Sequence, residues 1–270
     1  MQLVLAQLPG REGDIAHNLN EALAVITDQG PEVSLIVFPE THLTGFAEEG
    51  HTTDRALSLN GPEIARLIET SREQDCALAL GLLERDGEQV FNTSILITPE
   101  DGVALRYRKT HLWPDERDLV TPGNQLGCTK WRDYTIGLMI CYDLEFPEVA
   151  RSMTQLGADL LIVTNGNMDP YGPVHTRAAQ ARAQDNQCFL AMTNRCGEGA
   201  GFTFAGGSAL IAPDGALLFQ AGRDRDITAL SLDYQHLVDA RRYYDYLSDR
   251  RIGLEGSRED SPRGPIWRFD

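Results

Sequence analysis

The segment from Thr135 to Arg151 reads TIGLMICYDLEFPEVAR, and it decides the fold. Its apolar run, residues 136–140, stops at Cys141, and a helical pattern begins near Pro147. A short apolar run bounded by turn signals is typical of a buried strand. Proline suits the first turn of a helix, because its missing N–H is not needed there. The pattern therefore predicts a strand, a tight turn and a helix, with Cys141 at the carboxyl end of the strand.

This position makes the Cys141 thiol a candidate nucleophile. Open α/β sheets bind their ligands at the carboxyl ends of strands. Backbone N–H groups of the turn could also stabilise an oxyanion there. The alternative is structural, since a free cysteine is among the most buried residue types and behaves as a small hydrophobe. The other strand ends of the chain decide between the two interpretations.

Composition narrows the class of protein. The chain has 270 residues, is 42% hydrophobic and carries a net charge of −16. These values fit a globular α/β protein of one large or two small domains. The acidic charge disfavours binding to nucleic acid or to an anionic membrane. No apolar stretch reaches the roughly 18 residues of a membrane span, and the N-terminus has no basic leader, so we expect a cytoplasmic protein.

Cysteine and histidine patterns give no sign of a metal or a disulfide framework. There are five cysteines, an odd number, and no CxxC pair. The six histidines form no HExxH or HxH cluster. Zinc ribbons and disulfide scaffolds need such spacings. We therefore expect no metal and no cofactor.

Strand and helix patterns alternate early in the chain, and hairpins dominate later, which predicts a layered α/β sandwich of mixed sheets. The glycine-rich residues 197–201 are interpreted as a flexible loop, residues 110–131 as irregular, and residues after Arg250 as an extended or partly disordered arm. Strands are predicted at 2–7, 34–38, 76–83, 91–98, 103–108, 136–140, 160–164, 188–193 and 228–232, with a hairpin over 208–219 and helices starting near Asp14, Pro62, Pro147, His175 and Gln235.

Three residues at predicted strand ends make a chemically complete set. Glu40 follows Pro39, which cannot extend a central strand, and Lys109 follows the strand over 103–108. Each alone is a common surface residue. Together with Cys141 they supply a nucleophile, a base and a cation. A free thiol has a pKa of about 8.5 and needs a base; Glu40 can serve, while Lys109 can stabilise the anionic intermediate.

The segments IVFPETHLTGF, YRKTHLWPDERD and GLMICYDLEFPEVAR resemble, in order, the three signature blocks of the nitrilase superfamily, the carbon–nitrogen hydrolases. The similarity runs over about residues 2–250. It implies an α/β fold, a four-layer α-β-β-α sandwich over 1–250 that pairs into an eight-layer homodimer, with 251–270 as a tail or dimer arm. It also implies a catalytic triad of Glu40, Lys109 and Cys141, which converts an amide to a thioester with loss of ammonia and then to an acid.

The resemblance extends to residues around the triad. Relatives often carry a second glutamate after the lysine, and Glu116 is the candidate here; its alternative is a surface salt bridge with Arg117. The backbone N–H of Tyr142 would complete the oxyanion hole. The side chains of Tyr142 and Trp113 would narrow the cleft. Asn167 and Phe46 are candidates for the pocket wall, although turn polarity and core packing explain them equally well.

Residues after the nucleophile point to an amidase branch. True nitrilases have Cys-Trp-Glu, whereas this chain has CYD, and CYDLEFPEVAR with NMDPY resembles bacterial omega-amino-amidases and stereoselective amino-acid amidases. Relatives that cleave omega-amides of dicarboxylates often have arginine where Glu145 stands. We therefore expect a small-molecule amide substrate, with Glu145 binding a substrate ammonium; the alternative for Glu145 is a pairing with Arg151.

Two other functions stay open. One is hydrolysis of an N-carbamoyl amine or amino acid, whose carboxylate calls for a cationic clamp that the sequence does not clearly show. The other is a non-catalytic nitrilase-like binding protein, which need not keep the triad.

Overall fold

The structure, a computed structural model, describes residues 1–253 and 256–269. The strands are β1 (Gln2–Gln7), β2 (Val33–Val37), β3 (Ala77–Asp86), β4 (Gln89–Thr98), β5 (Gly102–Arg108), β6 (Gln125–Trp131), β7 (Tyr134–Ile140), β8 (Leu160–Asn165), β9 (Phe189–Asn194), β10 (Glu198–Gly199), β11 (Phe202–Thr203), β12 (Ala209–Ile211), β13 (Leu217–Gln220), β14 (Asp226–Ser231), β15 (Ser257–Ser261) and β16 (Gly264–Arg268). The helices are α1 (Ile15–Thr27), α2 (Thr52–Arg55), α3 (Pro62–Gln74), α4 (Pro147–Gln155), α5 (Gly172–Asn186), α6 (Gln235–Ala240) and α7 (Tyr246–Asp249).

Two mixed sheets contain most of the strands. The first has the order β14-β1-β2-β3-β4-β5, and the second has the order β13-β12-β9-β8-β7-β6-β16-β15. In each sheet three central strands are parallel: β1, β2 and β3 in the first, and β7, β8 and β9 in the second. Parallel strands bring their carboxyl ends to one edge of the sheet, which is where a site can form.

The alternating direction of side chains along the strands explains how the sheets and helices form layers. In β1, Leu3 belongs to the core between the sheets, whereas Val4 belongs to a separate core with residues of α1 and α3. Side chains of consecutive strand residues point to opposite faces, so a sheet covered on both sides is apolar throughout. On the second sheet, Met153 of α4 and Ala183 of α5 join the core. The predicted α-β-β-α sandwich is confirmed.

The two sheets are joined at the edge where the predicted triad lies. The backbone N–H of Glu40, beyond the end of β2, donates to the carbonyl of Asn165, the last residue of β8, at 3.2 Å. Lys109 directly follows β5, and Cys141 directly follows β7. Residues from both sheets therefore meet in one place.

The structure differs from the sequence interpretation in several segments. The segment 110–131, predicted to be irregular, ends in β6, which pairs with β7 and β16. The single helix predicted over 235–247 is two short ones, because Gln187 donates hydrogen bonds to the carbonyls of Ala240 and Tyr244 and holds the chain away from a helical path. After Arg250, β15 and β16 form a hairpin that extends the second sheet; Leu254, Glu255 and Asp270 of the predicted arm lie outside the described residues.

Gly81 in β3 allows the chain to reach Glu40. A methyl group on Gly81 would lie 2.3 Å from the backbone nitrogen of Thr41 and 2.8 Å from the Cα of Glu40. Real Cβ contacts are not so short, so the loop after β2 would have to move. Thr41 itself has φ +45°, a left-handed conformation that a β-branched residue rarely adopts.

We therefore expect Gly81→Ala to lower the free energy of unfolding by about 1–3 kcal/mol, as overpacking typically does, and to reduce kcat as well. Denaturant unfolding and initial rates check this. Gly222→Ala is the matched control, because a methyl group there has no neighbour within 4 Å. Equal stability of the two variants would contradict the argument.

Candidate active site

A cavity of about 260 Å³ lies at the edge where the sheets meet. Its apolar wall contains Phe46 and Phe204, whose rings are stacked 5.5 Å apart. Trp113 and Tyr142 meet edge to face at 5.2 Å on the same cavity. All but one of the site residues predicted from the sequence line this cavity: Glu40, Phe46, Lys109, Trp113, Glu116, Cys141, Tyr142 and Asn167.

Glu145 is the exception. It does not belong to the cavity lining. Its Oε1 lies 3.3 Å from the Nε2 of His175, and His175 lines the cavity. Arg151, the alternative partner, instead donates to the backbone carbonyl of Asp185 at 2.6 Å. Glu145 therefore reaches the site only through His175.

The buried ammonium of Lys109 organises the charged groups. Its Nζ donates to Glu40 Oε1 at 2.7 Å and to Glu116 Oε2 at 2.6 Å. Glu116 is only 6% exposed, so the alternative of a surface salt bridge with Arg117 does not describe it. An ammonium has three N–H donors. Two serve the carboxylates, and the third is left for a group in the cavity.

Asn92 completes this cluster, and sequence reasoning missed it. Its Nδ2 donates to Glu40 Oε1 at 2.8 Å and to Glu116 Oε1 at 2.6 Å. Its backbone carbonyl also accepts from the N–H of Lys109 at 2.8 Å. Asn92 lies within the predicted strand over 91–98. Its polar side chain near the end of that strand was the one signal in the sequence that could have indicated a site residue.

Cys141 also lines the cavity, and its backbone conformation is strained. Its φ is +43°, which is unusual for a residue with a side chain and recurs at functional sites. The residue begins a 3₁₀ turn, Cys141–Glu145, whose first N–H groups have no partners within the turn. The backbone N–H of Gly166 lies near the Cys141 sulfur and acts to lower the pKa of the thiol. The turn therefore places the Cys141 thiol beside N–H groups that have no partner within the turn.

Electrostatics keep the thiol protonated at rest. Burial raises the pKa of the Cys141 thiol well above its usual value, and Glu40 adds to the shift, although Lys109 and the Gly166 N–H oppose it. Burial likewise raises the pKa of the Glu40 carboxyl; Lys109 opposes this shift and Glu116 adds to it. For Lys109, burial acts to lower the pKa, but Glu116 and Glu40 outweigh it and hold the pKa well above its usual value.

One carboxylate oxygen remains available for proton transfer. Glu40 Oε2 is buried and has no hydrogen-bond partner within the described chain. A methyl group on Gly166 would lie 2.6 Å from this oxygen, and the Gly166 N–H contacts the Cys141 sulfur. The unpaired oxygen and the thiol therefore share Gly166 as a neighbour, and glycine is required there. This is the arrangement of a base beside a nucleophile.

A short hairpin closes one side of the cavity. The sequence interpretation gave residues 197–201 as a flexible loop, but β10 and β11 pair across a two-residue turn. The turn residues Ala200 and Gly201 have φ of +49° and +80°, which is the geometry of a tight hairpin turn. Ala200 and Phe202 line the cavity.

Asp143 holds the nucleophile turn and the lysine loop together. Its fully buried carboxylate accepts from Tyr107 Oη at 2.7 Å, from the His111 N–H at 2.9 Å and from the Ile140 N–H at 3.2 Å. Thr110 Oγ1 donates to it as well, at 2.9 Å. These donors belong to the strands and loop that carry Lys109 and Cys141.

A buried thiol beside an unpaired carboxylate and an ammonium defines a cysteine-dependent hydrolase. Residues 3–242 match the family described as carbon–nitrogen hydrolase. The chain therefore belongs to the carbon–nitrogen hydrolase family, as the sequence resemblance predicted, and it is an enzyme acting on carbon–nitrogen bonds. Among the described residues, no group of His, Cys, Asp and Glu side chains could hold a metal, and no helix there could span a bilayer.

Relatives cover nearly the whole chain. It is 48% identical over 265 residues to an (R)-stereoselective amidase of Pseudomonas sp., covering 98% of this chain and 96% of the relative. It is 29% identical to the structure of the NitN amidase of Nesterenkonia sp. AN1, with a TM-score of 0.82, covering 93% of this chain and 96% of that one. A glutamate-to-glutamine mutant of that amidase, 28% identical with a TM-score of 0.82 over 93% and 94%, shows the acetamide moiety of fluoroacetamide added covalently at the active-site cysteine.

We expect Asp143→Asn to lower the free energy of unfolding by about 2–3 kcal/mol, because an amide nitrogen would face donors. We also expect it to lower kcat about 10- to 100-fold through displacement of the catalytic groups. Urea unfolding and initial rates measure the two effects. The exposed Asp118→Asn is the control. A variant indistinguishable from the control would contradict this role.

The pKa of Glu40 leads to a pH dependence. Glu40 must be ionised to accept a proton, and its pKa is raised from 4.5. On acidification it is protonated at a higher pH than an exposed glutamate, so we expect the acidic limb of kcat/KM to fall above pH 4.5. A profile measured from about pH 4 to pH 9 tests this. An acidic limb at or below the ordinary glutamate value would show that Glu40 is not the base.

Proposed function

We propose that this protein hydrolyses small aliphatic amides to a carboxylic acid and ammonia through a thioester on Cys141. One observation carries the proposal. The Lys109 ammonium occupies one oxygen of Glu40 and leaves the other unpaired beside the thiol, inside a largely apolar cavity. The chemistry of the amidases that the chain resembles, described above, supports the same assignment.

Acylation follows from these contacts. Glu40 takes the thiol proton as the sulfur attacks the carbonyl carbon, so a thiolate never has to persist in the buried site. The third N–H of Lys109 and the backbone N–H of Tyr142 stabilise the oxyanion. Collapse breaks the carbon–nitrogen bond, and the proton held by Glu40 passes to the leaving nitrogen, which departs as ammonia.

Deacylation uses Glu40 as the base a second time. Glu40 removes a proton from water, which attacks the thioester carbon, and the carboxylic acid leaves as the proton returns to the sulfur. Glu116 keeps Lys109 in place through both steps and lines the cavity. Its role is therefore to position the ammonium and the amide nitrogen.

The charge of the cavity favours substrates that carry an ammonium. Among the described residues, Lys109 and His175 are the basic side chains of the lining, and Lys109 is held by two carboxylates. The exposed carboxylate of Asp115 also lines the cavity and has no ion-pair partner in the described chain. A negatively charged mouth attracts a cation and repels a carboxylate. We therefore propose an amino-amide preference, with Asp115 as the anion that Glu145 was predicted to be.

The same observation disfavours the N-carbamoyl amino acid alternative, because that substrate carries a carboxylate, and the described part of the chain offers it no unpaired arginine or lysine in the lining. A non-catalytic role would leave the unpaired Glu40 oxygen beside a strained cysteine without purpose.

Assembly and location complete the proposal. Tyr234, Val238 and Tyr243 are exposed apolar side chains around α6, with Tyr243 90% exposed, and burial of such a patch favours a homodimer. All five cysteines are free thiols, which fits a reducing, cytoplasmic location. Light scattering on the purified protein would give the oligomeric state.

Ammonia release from a panel of amides tests the function. We expect turnover of 5-aminopentanamide and propionamide, little of glutaramate or an N-carbamoyl amino acid, and none of any by Cys141→Ala. Release of ammonia and carbon dioxide from the carbamoyl compound alone would replace the proposal by its alternative. No release from any member would overturn amide hydrolysis as the function.

A second comparison tests the ammonium preference. Asp115→Asn is expected to raise KM for 5-aminopentanamide about two- to fivefold, the range of an exposed ion pair, and to leave KM for the neutral isostere hexanamide unchanged. Asp118→Asn, an exposed neighbour, is the control. Equal effects on KM for both substrates would show that the Asp115 carboxylate does not bind the substrate ammonium.

A further inference from the structure

An ion pair between a buried arginine and a partly exposed glutamate lies behind the aromatic wall of the cavity, and the mechanism above does not use it. Arg195 directly follows β9 and is 2% exposed. Its Nη1 lies 2.5 Å from Glu12 Oε1, and its Nη2 donates to the carbonyl of Gly10 at 2.6 Å. Neither Glu12 nor Arg195 lines the cavity. Such a pair is costly to bury, and its position therefore calls for an explanation.

Both partners contact the same aromatic pair. Glu12 Oε2 accepts a hydrogen bond from the backbone N–H of Phe46 at 2.8 Å. The guanidinium carbon of Arg195 lies 4.3 Å from the ring centroid of Phe204 and 5.5 Å from that of Phe46. The acid therefore fixes the backbone of one ring, and the cation packs against both rings.

Glycines allow the backbone to close around this pair. A methyl group on Gly45 would lie 2.3 Å from Glu12 Oε2, and Gly45 has φ +75°. A methyl group on Gly199 would lie 2.2 Å from the Nη2 of Arg195. The loop before Phe46 and the β10–β11 hairpin are therefore shaped to the ion pair.

Phe46 connects the pair to the reacting groups. A methyl group on Gly166 would lie 2.4 Å from the Cζ of Phe46 and 2.6 Å from Glu40 Oε2. The tip of the ring and the unpaired carboxylate oxygen therefore occupy neighbouring space above Gly166. A ring in this place excludes water from the oxygen and restricts rotation of the carboxylate.

We propose that Glu12 and Arg195 are positioning residues for catalysis: they fix the Phe46–Phe204 stack, and Phe46 holds the unpaired oxygen of Glu40 dry and directed at Cys141. The inference rests on the proposed function only in using an amide as the assay substrate. Neither residue touches the substrate.

The test removes both charges together, because removal of one leaves the other buried and unpaired. In Glu12→Gln/Arg195→Met the amide oxygen still accepts from Phe46, but the cation is lost. Arg132→Met is the matched control, since Arg132 also pairs with a carboxylate, Asp75 at 3.0 Å, and lies 5.0 Å from a ring centroid, that of Trp131, but is on the surface.

We expect the double variant to lower kcat about tenfold or more, the scale of a small misplacement of a catalytic group, and to move the acidic limb of kcat/KM to lower pH. The direction follows because water reaching Glu40 stabilises its charged form and so lowers its raised pKa. The control variant should match the wild type in kcat and in the position of the acidic limb. A higher KM with kcat and the acidic limb unchanged would overturn the proposal and leave the pair as a wall of the pocket.

Two further measurements keep the test decisive. Phe46→Leu leaves the ion pair and removes the ring, so it must shift the acidic limb in the same direction; if it does not, the proposal fails even where the double variant does not fold. Mass spectrometry can measure the rate of Cys141 alkylation by iodoacetamide against pH. This rate reports the ionisation of the thiol and does not require substrate turnover. It tests the positioning role even if no amide in the panel is hydrolysed.

Discussion

The site depends on one buried ammonium shared by two carboxylates. Lys109 binds Glu40 and Glu116, and Asn92 bridges the same two acids from the other side. With both acids ionised, these three charged groups carry a net negative charge, so a neighbouring thiolate is disfavoured. This contrasts with cysteine enzymes that stabilise a thiolate beside an imidazolium. In the proposed mechanism, proton transfer and attack are therefore coupled, and the lysine anchors the base and donates a hydrogen bond to the oxyanion.

The two sheets supply this geometry jointly. Glu40 and Lys109 come from strand ends of the first sheet, and Cys141 from a strand end of the second. At Gly166, which directly follows β8 of the second sheet, the approach is close enough that a methyl group would lie 2.6 Å from Glu40 Oε2. The catalytic groups are therefore held by backbone packing between the sheets, and the nucleophile exists in its reactive arrangement only when the sheets are docked.

Local signals in the sequence were sufficient for part of this structure. The apolar runs ending at Glu40 and Cys141 indicated both strand ends, because a strand buried on both faces has a recognisable pattern. Asn92, Gly166 and Arg195 could not be found in this way. Their neighbours arise from strand pairing and sheet packing, which place distant segments together. Glu145 illustrates the same limit: its spacing from Cys141 was visible, but the direction of its side chain, toward His175, depends on how α5 packs.

The prediction of secondary structure was wrong where tertiary contacts determine the local conformation. The strand β6 contains Gly127 and Lys130, and pairing on both sides stabilises it. The helix expected over 235–247 is divided by hydrogen bonds from Gln187. The contacts with β16 and with Gln187 cannot be read from the segments themselves, since both partners lie far away in sequence.

The hairpin of β15 and β16 has a consequence for the border of the second sheet. β15 is the outermost strand there, and it carries Arg258, Glu259 and Asp260 in succession. An unpaired strand edge is a template on which another chain can add, and charges along it oppose that addition. Without the hairpin, β6 would be the edge strand at this border. With the hairpin, the edge strand is β15, which carries charged side chains. At high protein concentration, this border resists the edge-to-edge growth from which aggregates form.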